Sequence, residues 1–380
     1  MSISNAFREA GTGGDIGIGV DIVSGCNLHC AHCYYNKSSS KTSSKVMPVS
    51  LIKNLIDQVE GRFSELYLLG GEPTLHPQLY EIIAYGLRHM KLVVLVTNGL
   101  KFADAEFCKH YATFGATMSM HRWAIKSQGA NIVDQLSRKK GTFDRTEQAW
   151  SNIQKFWRGD ICVQINLLRP LVEDGHVMDV FRWAREFGYK PIIEMIKASD
   201  FFRRNNNFDL TVQEVYALFR MLMNYDQVNY PELVPKAIIP PVYGSPCTLI
   251  EIGIHVLVDG TAILCVGHAE IPLCNVFKDG IDLAIHSPIR MAVKNYKTWI
   301  VGPCRECEYF DLCHGGCRGN ANYETGCPRA SNPYCWHHHS SVVLKDLVPK
   351  SCEGCPLEKY QACGLHKNQL NNKLLTVARS

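Results

Sequence analysis

The residues best suited to chemistry are three cysteines near the N-terminus. They form a Cys-x3-Cys-x2-Cys pattern within Gly25-Cys26-Asn27-Leu28-His29-Cys30-Ala31-His32-Cys33-Tyr34. Cysteines at such short spacing are typical metal ligands. Three thiolates can hold a 4Fe–4S cluster and leave its fourth iron open to a further ligand. A zinc site and a chance spacing in a cysteine-rich chain are the alternatives.

A denser group of cysteines occupies the C-terminal part of the chain. Its members are Cys247, Cys265, Cys304, Cys307, Cys313, Cys317 and Cys335. From residue 304 to residue 317 the spacing is Cys-x2-Cys-x5-Cys-x3-Cys. Sets of four cysteines suit zinc as well as iron, so a structural zinc domain is the alternative to iron–sulfur clusters here.

The remaining cysteines carry weaker signals. One set has the spacing Cys352-x2-Cys355-x7-Cys363-x2-His366. This set could hold zinc or a further cluster, or it could be three thiols on a terminal tail. Cys108 and Cys162 fall on a predicted helix and a predicted strand, and we expect them to pack as small hydrophobic residues. Cys327 lies in a predicted loop and is not expected to be a ligand.

Composition favours a protein of the reducing cytoplasm. The chain has 380 residues, of which 17 are cysteine and 46% are hydrophobic. No apolar run approaches the roughly 20 residues of a membrane span, and the polar segment 1–14 does not resemble a secretory signal. Because disulfides are rare in the cytoplasm, metal binding is the favoured role for grouped cysteines. The formal charge of +4 would be offset by the negative charge of bound clusters, so it gives no support for a nucleic-acid partner.

An alternation of apolar and amphipathic segments from residue 16 to residue 200 indicates the scaffold that positions the first three cysteines. Six runs predict strands, at Ile16–Val23, Glu65–Leu69, Leu92–Thr97, Ala116–Met120, Cys162–Leu168 and Pro191–Ile196. Helices are predicted at 78–90, 104–114, 144–157 and 176–187, with another that starts after an N-cap at Ser50 and ends at Gly61. This alternation predicts an open partial barrel of parallel strands, with the three cysteines at the C-terminal end of the first strand, where barrel active sites lie.

The predicted fold class is therefore α/β, a partial (β/α)6 barrel followed by a small cysteine-rich α+β domain. We predict an N-terminal tail at 1–15, the barrel at 16–200, a helical bridge at 201–246, the cysteine-rich domain at 247–340 and a cysteine-containing extension at 341–380. The bridge includes a predicted helix near 211–225. The polar segment Ser38–Lys45 is predicted to be a surface loop or a lid.

The N-terminal pattern resembles the signature of the radical S-adenosylmethionine (SAM) superfamily, and similar motifs follow at the predicted strand ends. They are Gly70-Gly71-Glu72-Pro73, Thr97-Asn98-Gly99 and Ser119, the last at the end of the fourth strand. The resemblance implies contacts to SAM from His32, Gly70, Gly71, Glu72, Pro73, Asn98 and Ser119. His32 would lie near the adenine, and Glu72 would accept from the amino group. Relatives often have Ser-Leu-Asp-Gly where this chain has Ser119-Met120-His121-Arg122, so the local ribose or substrate contacts stay open.

The C-terminal pattern resembles the seven-cysteine SPASM domain, which carries auxiliary iron–sulfur clusters. By that resemblance, one auxiliary 4Fe–4S cluster is held by Cys304, Cys307, Cys313 and Cys335. The other is held by Cys247, Cys265 and Cys317, and its last iron is either open or bound by Cys274 or His268. Together the two resemblances cover residues 16 to 340.

Both resemblances imply a radical SAM enzyme. The N-terminal cluster would cleave SAM reductively to a 5′-deoxyadenosyl radical that removes hydrogen from a substrate, with electrons from a flavodoxin- or ferredoxin-type donor. A peptide or protein is the expected substrate, which would make the enzyme a maturase. A dehydrogenase or epimerase of a small molecule, such as an aminosugar bound by Arg203, Arg204 and Glu194, is the alternative. A non-enzymatic electron carrier or a zinc-organised binding module would leave the SAM-like motifs unexplained.

Overall fold

A nine-stranded sheet forms the centre of the computed structural model, which describes residues 17–33, 44–195, 208–234, 253–266, 271–325, 327–332 and 334–337. The strands are β1 Gly17–Val23, β2 Glu65–Gly70, β3 Leu92–Thr97, β4 Thr117–His121, β5 Ile161–Leu167, β6 Lys190–Met195, β7 Ile254–Val256, β8 Thr261–Ile263 and β9 Pro272–Asn275. Their order across the sheet is β6-β5-β4-β3-β2-β1-β7-β8-β9. Because β6 and β9 are edge strands, the described sheet is open.

All six predicted strands are present, each with its described ends within one residue of the prediction. They pair in parallel from β1 to β6. The carboxyl ends of these six strands therefore meet at one edge of the sheet, as the open partial barrel requires. The predicted α/β fold class is confirmed.

Helices connect the parallel strands. They are α1 Val49–Val59, α2 Leu79–His89, α3 Ala105–Ala112, α4 Ala130–Ser137, α5 Thr142–Phe156, α6 Arg169–Glu173, α7 His176–Glu186 and, after β6, α8 Val212–Asn229. The helix predicted near 211–225 is α8, and it starts at a capping box in which Thr211 and Glu214 bond to each other's backbone N–H. Short 3-10 helices lie at Pro73–Leu75, Leu100–Ala103, Ser127–Gly129, Pro231–Leu233 and Pro303–Glu306.

The predicted N-cap at Ser50 is wrong. Helix α1 begins at Val49, and Pro48 occupies the cap position with φ −56° and no side-chain cap hydrogen bond. Val49 belongs to the same buried stripe as Ile52 and Ile56. The start of the helix is therefore set by burial of this stripe and by the fixed φ of proline, which outweigh the capping preference of serine.

The two faces of the parallel sheet differ in polarity. On one face, alternate residues such as Ile18, Val20 and Val163 join the hydrophobic core that the helices complete. The opposite face carries polar residues that are nevertheless buried, among them Asp21, Glu65, Ser119, Gln164 and Asn166. Buried polar groups are costly unless they are paired, so this face is suited to polar contacts instead of simple packing.

The C-terminal part continues the same sheet. Strand β7 pairs in parallel with β1, and β7, β8 and β9 pair in antiparallel order. Short helices follow at α9 Val276–Asp279, α10 Ile281–Ile285, α11 Pro288–Lys294, α12 Tyr296–Trp299, α13 Phe310–Cys313 and α14 Arg318–Thr325. A second, smaller core contains Leu264, Ile289, Trp299, Ile300 and Phe310. The cysteine-rich part thus shares a sheet with the barrel and has a modest core of its own.

Within the described ranges, none of the helices combines the length and the apolar character that crossing a bilayer requires.

Candidate cluster and cofactor site

The three N-terminal cysteines lie in the loop that leaves the carboxyl end of β1. Cys26, Cys30 and Cys33 are all half-buried. The loop is anchored on α4, whose last carbonyls accept the N–H groups of residues 29 and 31 at 3.2 and 2.7 Å. Lys139 Nζ donates to Asn27 O at 3.0 Å. The loop is therefore held by backbone contacts that do not depend on the cysteines.

The thiols of this loop are in a desolvated environment. No disulfide joins any of the cysteines in the described part of the chain. Burial raises the pKa of Cys26 to about 11, although Leu28 N–H at 3.4 Å and the Asn98 amide at 3.8 Å stabilise the thiolate. Burial, followed by Cys33 and Cys26, also raises the pKa of Cys30. Thiolates in such a place need a compensating positive charge, such as that of a metal centre.

Glu72 joins the segments that follow β1, β2 and β3. Its backbone N–H donates to Gly25 O at 2.9 Å. Its side chain is 1% exposed. Oε1 accepts from Thr74 N–H at 3.1 Å and from the hydroxyls of Thr74 and Thr97 at 2.6 Å, and Oε2 accepts from Asn98 N–H at 2.8 Å. Four donors are about as many as one carboxylate can accept. Glu72 thus fixes the three segments relative to one another.

These contacts bear on the role that the resemblance implies for Glu72. An ammonium group of SAM would have to share an oxygen that already has a protein donor. Burial raises the pKa of Glu72, and the hydrogen bonds from Thr74, Thr97 and Asn98 oppose that effect. The carboxylate therefore depends on its protein donors for stabilisation.

The glycines before Glu72 allow close backbone contact. A Cβ atom on Gly70, whose φ is +136°, would lie 2.1 Å from Val23 O. A Cβ atom on Gly71 would lie 2.3 Å from Gly25 O. Any side chain at either position would push the loop after β2 away from the cysteine loop. Pro73 follows as the first residue of a 3-10 helix and is buried.

Two further residues expected to contact SAM occupy different places. Asn98 directly follows β3, and its Nδ2 lies 2.7 Å from Asn27 Oδ1 and 3.8 Å from Cys26 Sγ. Ser119 was expected at the end of the fourth strand, but it lies in the middle of β4, which continues to His121. Its side chain is 4% exposed. The strand ends one residue later than predicted because His121 still pairs with Gln164 of β5.

A polar network that the sequence did not reveal links the cysteine loop to β4, β5 and β6. The rings of His32 and Trp123 meet edge to face at 5.0 Å. Trp123 Nε1–H donates to Asn166 Oδ1 at 2.9 Å, and His121 Nδ1 lies 3.0 Å from the same oxygen. Asn166 Nδ2 lies 3.5 Å from Glu194 Oε2. Two features of the sequence pointed to this network, the unusual His121 after Ser119-Met120 and the position of Glu194 on the sixth strand. Their separation along the chain gave no sign that the two side chains belong to one network.

Both histidines of this network are held neutral. Burial, with a smaller effect of His121, lowers the pKa of His32 to about 3. Burial also lowers the pKa of His121, against the opposing influence of Glu194 and Asn166. The Nδ1 atom of His32 is buried and has no partner among the described residues. The network therefore offers uncharged imidazole nitrogens beside the cysteine loop.

A second site lies among the cysteines of the C-terminal part. One cavity is lined by Cys304, Cys307, Phe310, Cys313, Gly315, Gly316, Asn332 and Cys335. Burial raises the pKa of Cys313 to about 12, and the three other thiols add to that effect. His314, Gly315 and Gly316 all have positive φ, at 49°, 75° and 74°. This left-handed backbone turns the chain sharply between Cys313 and Cys317.

The structure describes only some of the ligands predicted for the second auxiliary cluster. Cys265 and Cys317 are half-buried, whereas Cys247 and His268 lie outside the described residues. Cys274 Sγ lies 3.9 Å from Gly280 O. The set Cys352, Cys355, Cys363 and His366, the arginines Arg203 and Arg204, and residues 38–43 also lie outside them. Within the described ranges, no three His, Cys, Asp or Glu side chains converge as tightly as the ligands of a single metal ion.

The cysteines that were expected to be structural are buried. Cys108 and Cys162 are 1% and 2% exposed. Cys108 packs in the main hydrophobic core as predicted, whereas Cys162 is buried on the polar face of the sheet. Cys327 is 1% exposed and packs in a small cluster with Ala321 and Ala330.

The chain is similar to several characterised proteins. Residues 20–184 match the Radical SAM superfamily. The chain is 26% identical to the mycofactocin maturase MftC of Mycolicibacterium smegmatis, across 84% of this chain and 82% of that protein. It is 22% identical to the cysteine-type anaerobic sulfatase-maturating enzyme of Clostridium perfringens, across 82% and 91%. A solved structure of native anSMEcpe with bound AdoMet and Cp18Cys peptide shares the fold, with a TM-score of 0.65 and 16% identity over 96% of this chain and 99% of that one.

The fold is an open parallel β/α barrel, and a loop with three cysteines follows its first strand. This combination is typical of an enzyme that binds a metal cluster. The matching residues 20–184 assign this barrel to the radical SAM superfamily, and the maturase relatives extend the similarity over most of the chain. Its cofactors are accordingly a 4Fe–4S cluster and SAM. The desolvated thiols of the cysteine loop and the donors already directed at Cys26 Sγ fit such a cluster.

Proposed function

We propose that Cys26, Cys30 and Cys33 hold the SAM-binding cluster, and that SAM is bound by His32, Gly70, Gly71, Glu72, Pro73, Asn98 and Ser119. The cluster, when bound, supplies the electron that breaks a sulfur–carbon bond of SAM and so yields the 5′-deoxyadenosyl radical that removes hydrogen from a substrate. The observation that supports this assignment most is the Glu72 junction, which holds the segments after β1, β2 and β3 against one another.

The chain's own residues have three tasks at this site. Leu28 N–H and the Asn98 amide stabilise negative charge on Cys26 Sγ. Gly71 and Gly25 have no side chains where their backbones meet, so the backbone at the ends of two strands can approach a ligand closely. The neutral pair His32 and His121 lines the site without adding positive charge beside a sulfonium.

We further propose two auxiliary 4Fe–4S clusters. One is held by Cys304, Cys307, Cys313 and Cys335, whose thiols line a single cavity. The other is held by Cys247, Cys265 and Cys317. The proposed domain limits are those of the sequence analysis, with the barrel at 16–200 and the SPASM domain at 247–340.

The proposed substrate is a peptide or a protein, which the enzyme modifies as a maturase. This rests on the relatives, whose names describe maturation of mycofactocin and of sulfatases, and on the related structure that contains a Cp18Cys peptide. The buried polar face at the ends of β4 to β6 would accommodate the amide groups of such a substrate. We place the enzyme in the cytoplasm, with a flavodoxin- or ferredoxin-type protein as electron donor.

The cofactor assignment is tested with protein purified and reconstituted without oxygen. Incubation with SAM and dithionite should release 5′-deoxyadenosine, and the triple variant C26A/C30A/C33A should release none while it keeps the iron of the auxiliary clusters. C108A is the matched control, because Cys108 is buried away from every cysteine group, and it should behave as wild type. Iron-replete wild-type protein that releases no 5′-deoxyadenosine would contradict the proposal.

The substrate assignment needs a separate experiment. Short peptides encoded next to the gene are incubated with the active enzyme and SAM, and their masses are compared with those from the triple cysteine variant. A SAM-dependent mass change in one peptide supports the maturase. Turnover of an aminosugar in the same assay, with every peptide unchanged, would replace it with the small-molecule alternative.

A further inference from the structure

Asn332 has an unpartnered amide nitrogen and lines the cavity of the four auxiliary cysteines. Asn332 is 3% exposed and is one of the lining residues of this cavity. Its Nδ2 atom is buried and has no hydrogen-bond partner among the described residues. An amide nitrogen has two protons to donate, and leaving both without a partner in a buried place is costly. A buried donor in this state indicates an acceptor that belongs in the cavity.

The orientation of this amide is fixed by its other end. Tyr334 N–H donates to Asn332 Oδ1 at 3.0 Å, so the oxygen already has a donor. Exchange of the oxygen and nitrogen positions would bring the amide nitrogen against this backbone donor, which is unfavourable. Nδ2 is therefore the amide atom that remains without a partner in this lining residue.

Gly316 makes room for this arrangement. A Cβ atom at Gly316 would lie 2.2 Å from Asn332 Nδ2, and the φ of Gly316 is +74°. Glycine is thus required at this position both by the left-handed backbone and by the close approach of the amide. The turn between Cys313 and Cys317 therefore accommodates the Asn332 amide, which comes from the segment before Cys335.

The lining of the cavity identifies the acceptor. Apart from Asn332, the lining side chains are four cysteines and Phe310, so sulfur is the acceptor that the cavity provides. Sulfur atoms of an iron–sulfur cluster and of its thiolate ligands carry negative charge and accept N–H bonds, and such bonds favour the reduced, more negative cluster.

We propose that Asn332 donates an N–H···S hydrogen bond to the auxiliary cluster held by Cys304, Cys307, Cys313 and Cys335, and so raises the reduction potential of that cluster. The proposal rests on the auxiliary cluster proposed above. Asn332 is a positioning and tuning residue, and it neither ligates iron nor contacts the substrate. Its effect is to make this cluster a better electron acceptor than its four thiolate ligands alone would make it.

The test compares Asn332→Ala with the wild type by potentiometric titration of the reconstituted full-length protein. The measurement uses a C26A/C30A/C33A/C247A/C265A background, in which the N-terminal cluster and the second auxiliary cluster are absent, and reads the electron paramagnetic resonance signal of the remaining reduced cluster. Loss of the donor should raise the oxidised-to-reduced ratio at a fixed potential by about tenfold, which for one electron is a shift of about 59 mV to lower potential. N332D, which replaces the donor with a carboxylate of the same shape, should shift it at least as far.

The matched control is N152A. The Asn152 amide is also buried, but it donates to Phe102 O and Ala103 O at 2.9 and 3.0 Å, in the barrel. Its replacement should leave the potential of the auxiliary cluster unchanged. An equal shift in N152A and N332A would show a general loss of structure and would overturn the proposal.

A second measurement does not require a change at Asn332. In the same cysteine-variant background, which lacks the N-terminal cluster near Asn98, protein with 15N-labelled asparagine should show one coupled asparagine nitrogen with exchangeable protons in pulsed electron paramagnetic resonance of the reduced cluster. Absence of this coupling, or an unchanged potential in N332A with full iron content, overturns the role of Asn332 and leaves the cluster assignment intact. If C304A keeps all of the iron, the cluster assignment itself fails, and this inference fails with it.

Discussion

Glu72 shows how one side chain can hold three loops in place. Its four hydrogen bonds come from Thr74, Thr97 and Asn98, on two different segments, and its backbone reaches a third at Gly25. The motif Gly-Gly-Glu-Pro was recognisable in the sequence, but this junction was not, because the donors lie up to 26 residues away. The residue that the resemblance assigns to SAM binding is therefore also a structural centre of the site.

Glu72→Gln should destabilise the fold and weaken SAM binding together. The new amide nitrogen would face a backbone donor, either Thr74 N–H or Asn98 N–H, at a cost of about 1–3 kcal/mol. Thermal unfolding and calorimetric titration with SAM measure the two effects. E81Q is the control, because Glu81 is 46% exposed in its pair with Lys53, and surface pairs contribute about 0–1 kcal/mol. Unfolding of E72Q at the wild-type temperature would contradict the account.

The network around Asn166 predicts the tautomer of His121. Trp123 Nε1 can only donate, so Asn166 must present its oxygen to it, and His121 must then donate to that oxygen from Nδ1. The Nε2 atom of His121 is left as an acceptor. Nitrogen NMR of 15N-histidine-labelled protein should show the Nδ1–H form, and an Nε2–H form would refute the argument.

The same residue predicts a dependence of stability on pH. The pKa of His121 is lowered by burial, so the unfolded chain binds a proton that the folded chain does not. Stability is therefore present above the unfolded value near 6.5 and falls as the pH drops below it. N166D should reduce this loss, because a carboxylate next to His121 favours its charged form, whereas N152D should not. Unfolding free energies measured from pH 5 to pH 8 distinguish the two variants.

At the scale of elements, helix α8 is held to the barrel by a buried ion pair. Arg185 of α7 donates from Nε and Nη2 to the two oxygens of Asp226, at 3.0 and 2.6 Å. Asp226 is not exposed at all and Arg185 is 12% exposed. The sequence predicted both helices but not this contact, because the polar residue Asp226 falls within the buried stripe of α8.

Asp226→Ala should loosen α8 markedly. It leaves the Arg185 charge buried without its partner, which costs about 3–5 kcal/mol. Hydrogen exchange should rise in α8 before it rises in β1 to β6. D282A is the control, since Asp282 is 73% exposed in its pair with Arg62, and it should cost less than about 1 kcal/mol. Equal effects of the two substitutions would rule out this role of Asp226.

Most of the strands and helices of the barrel could be predicted from the sequence. The six parallel strands are short runs rich in apolar residues between amphipathic helices, so all six were located to within one residue. The start of α1 was missed because Ser50 carries a strong capping preference that the buried Val49 overrides. Ser119 was misplaced because strand ends are set by pairing with the neighbouring strand, here through His121 and Gln164, which a single sequence does not contain.

At the scale of the whole molecule, the barrel and the cysteine-rich part share one sheet, and several residues of the cysteine-rich part belong to the barrel core. The sequence analysis placed the start of the cysteine-rich domain at residue 247. It could not indicate that β7, of three residues, would pair with β1 through Ile18 and Val20. Ile254, Val256 and Ala284 belong to the same hydrophobic core as the barrel. Without these residues β1 would be an exposed edge strand, which is a surface prone to aggregation.

A buried pair at this junction predicts that the two parts unfold together. His255 Nε2 of β7 lies 2.8 Å from Asp21 Oδ1 of β1, and Asp21 is 1% exposed, with its other oxygen unpartnered among the described residues. His255→Ala would leave both oxygens without a donor, at a cost of at least about 1–3 kcal/mol. H255Q keeps an N–H donor and should recover part of that loss.

Cooperativity is the measurable consequence of this shared junction. Thermal unfolding is followed by two probes. Far-ultraviolet circular dichroism reports mainly on the barrel. Tryptophan fluorescence of a W123F/W150F/W157F/W183F background reports on Trp299 and Trp336 of the C-terminal part. Because one sheet spans both parts and β7 belongs to the barrel core, H255A should lower both transitions to the same new temperature. If the C-terminal signal alone moves, the junction does not couple the two parts, and the cysteine-rich segment is an independent folding unit.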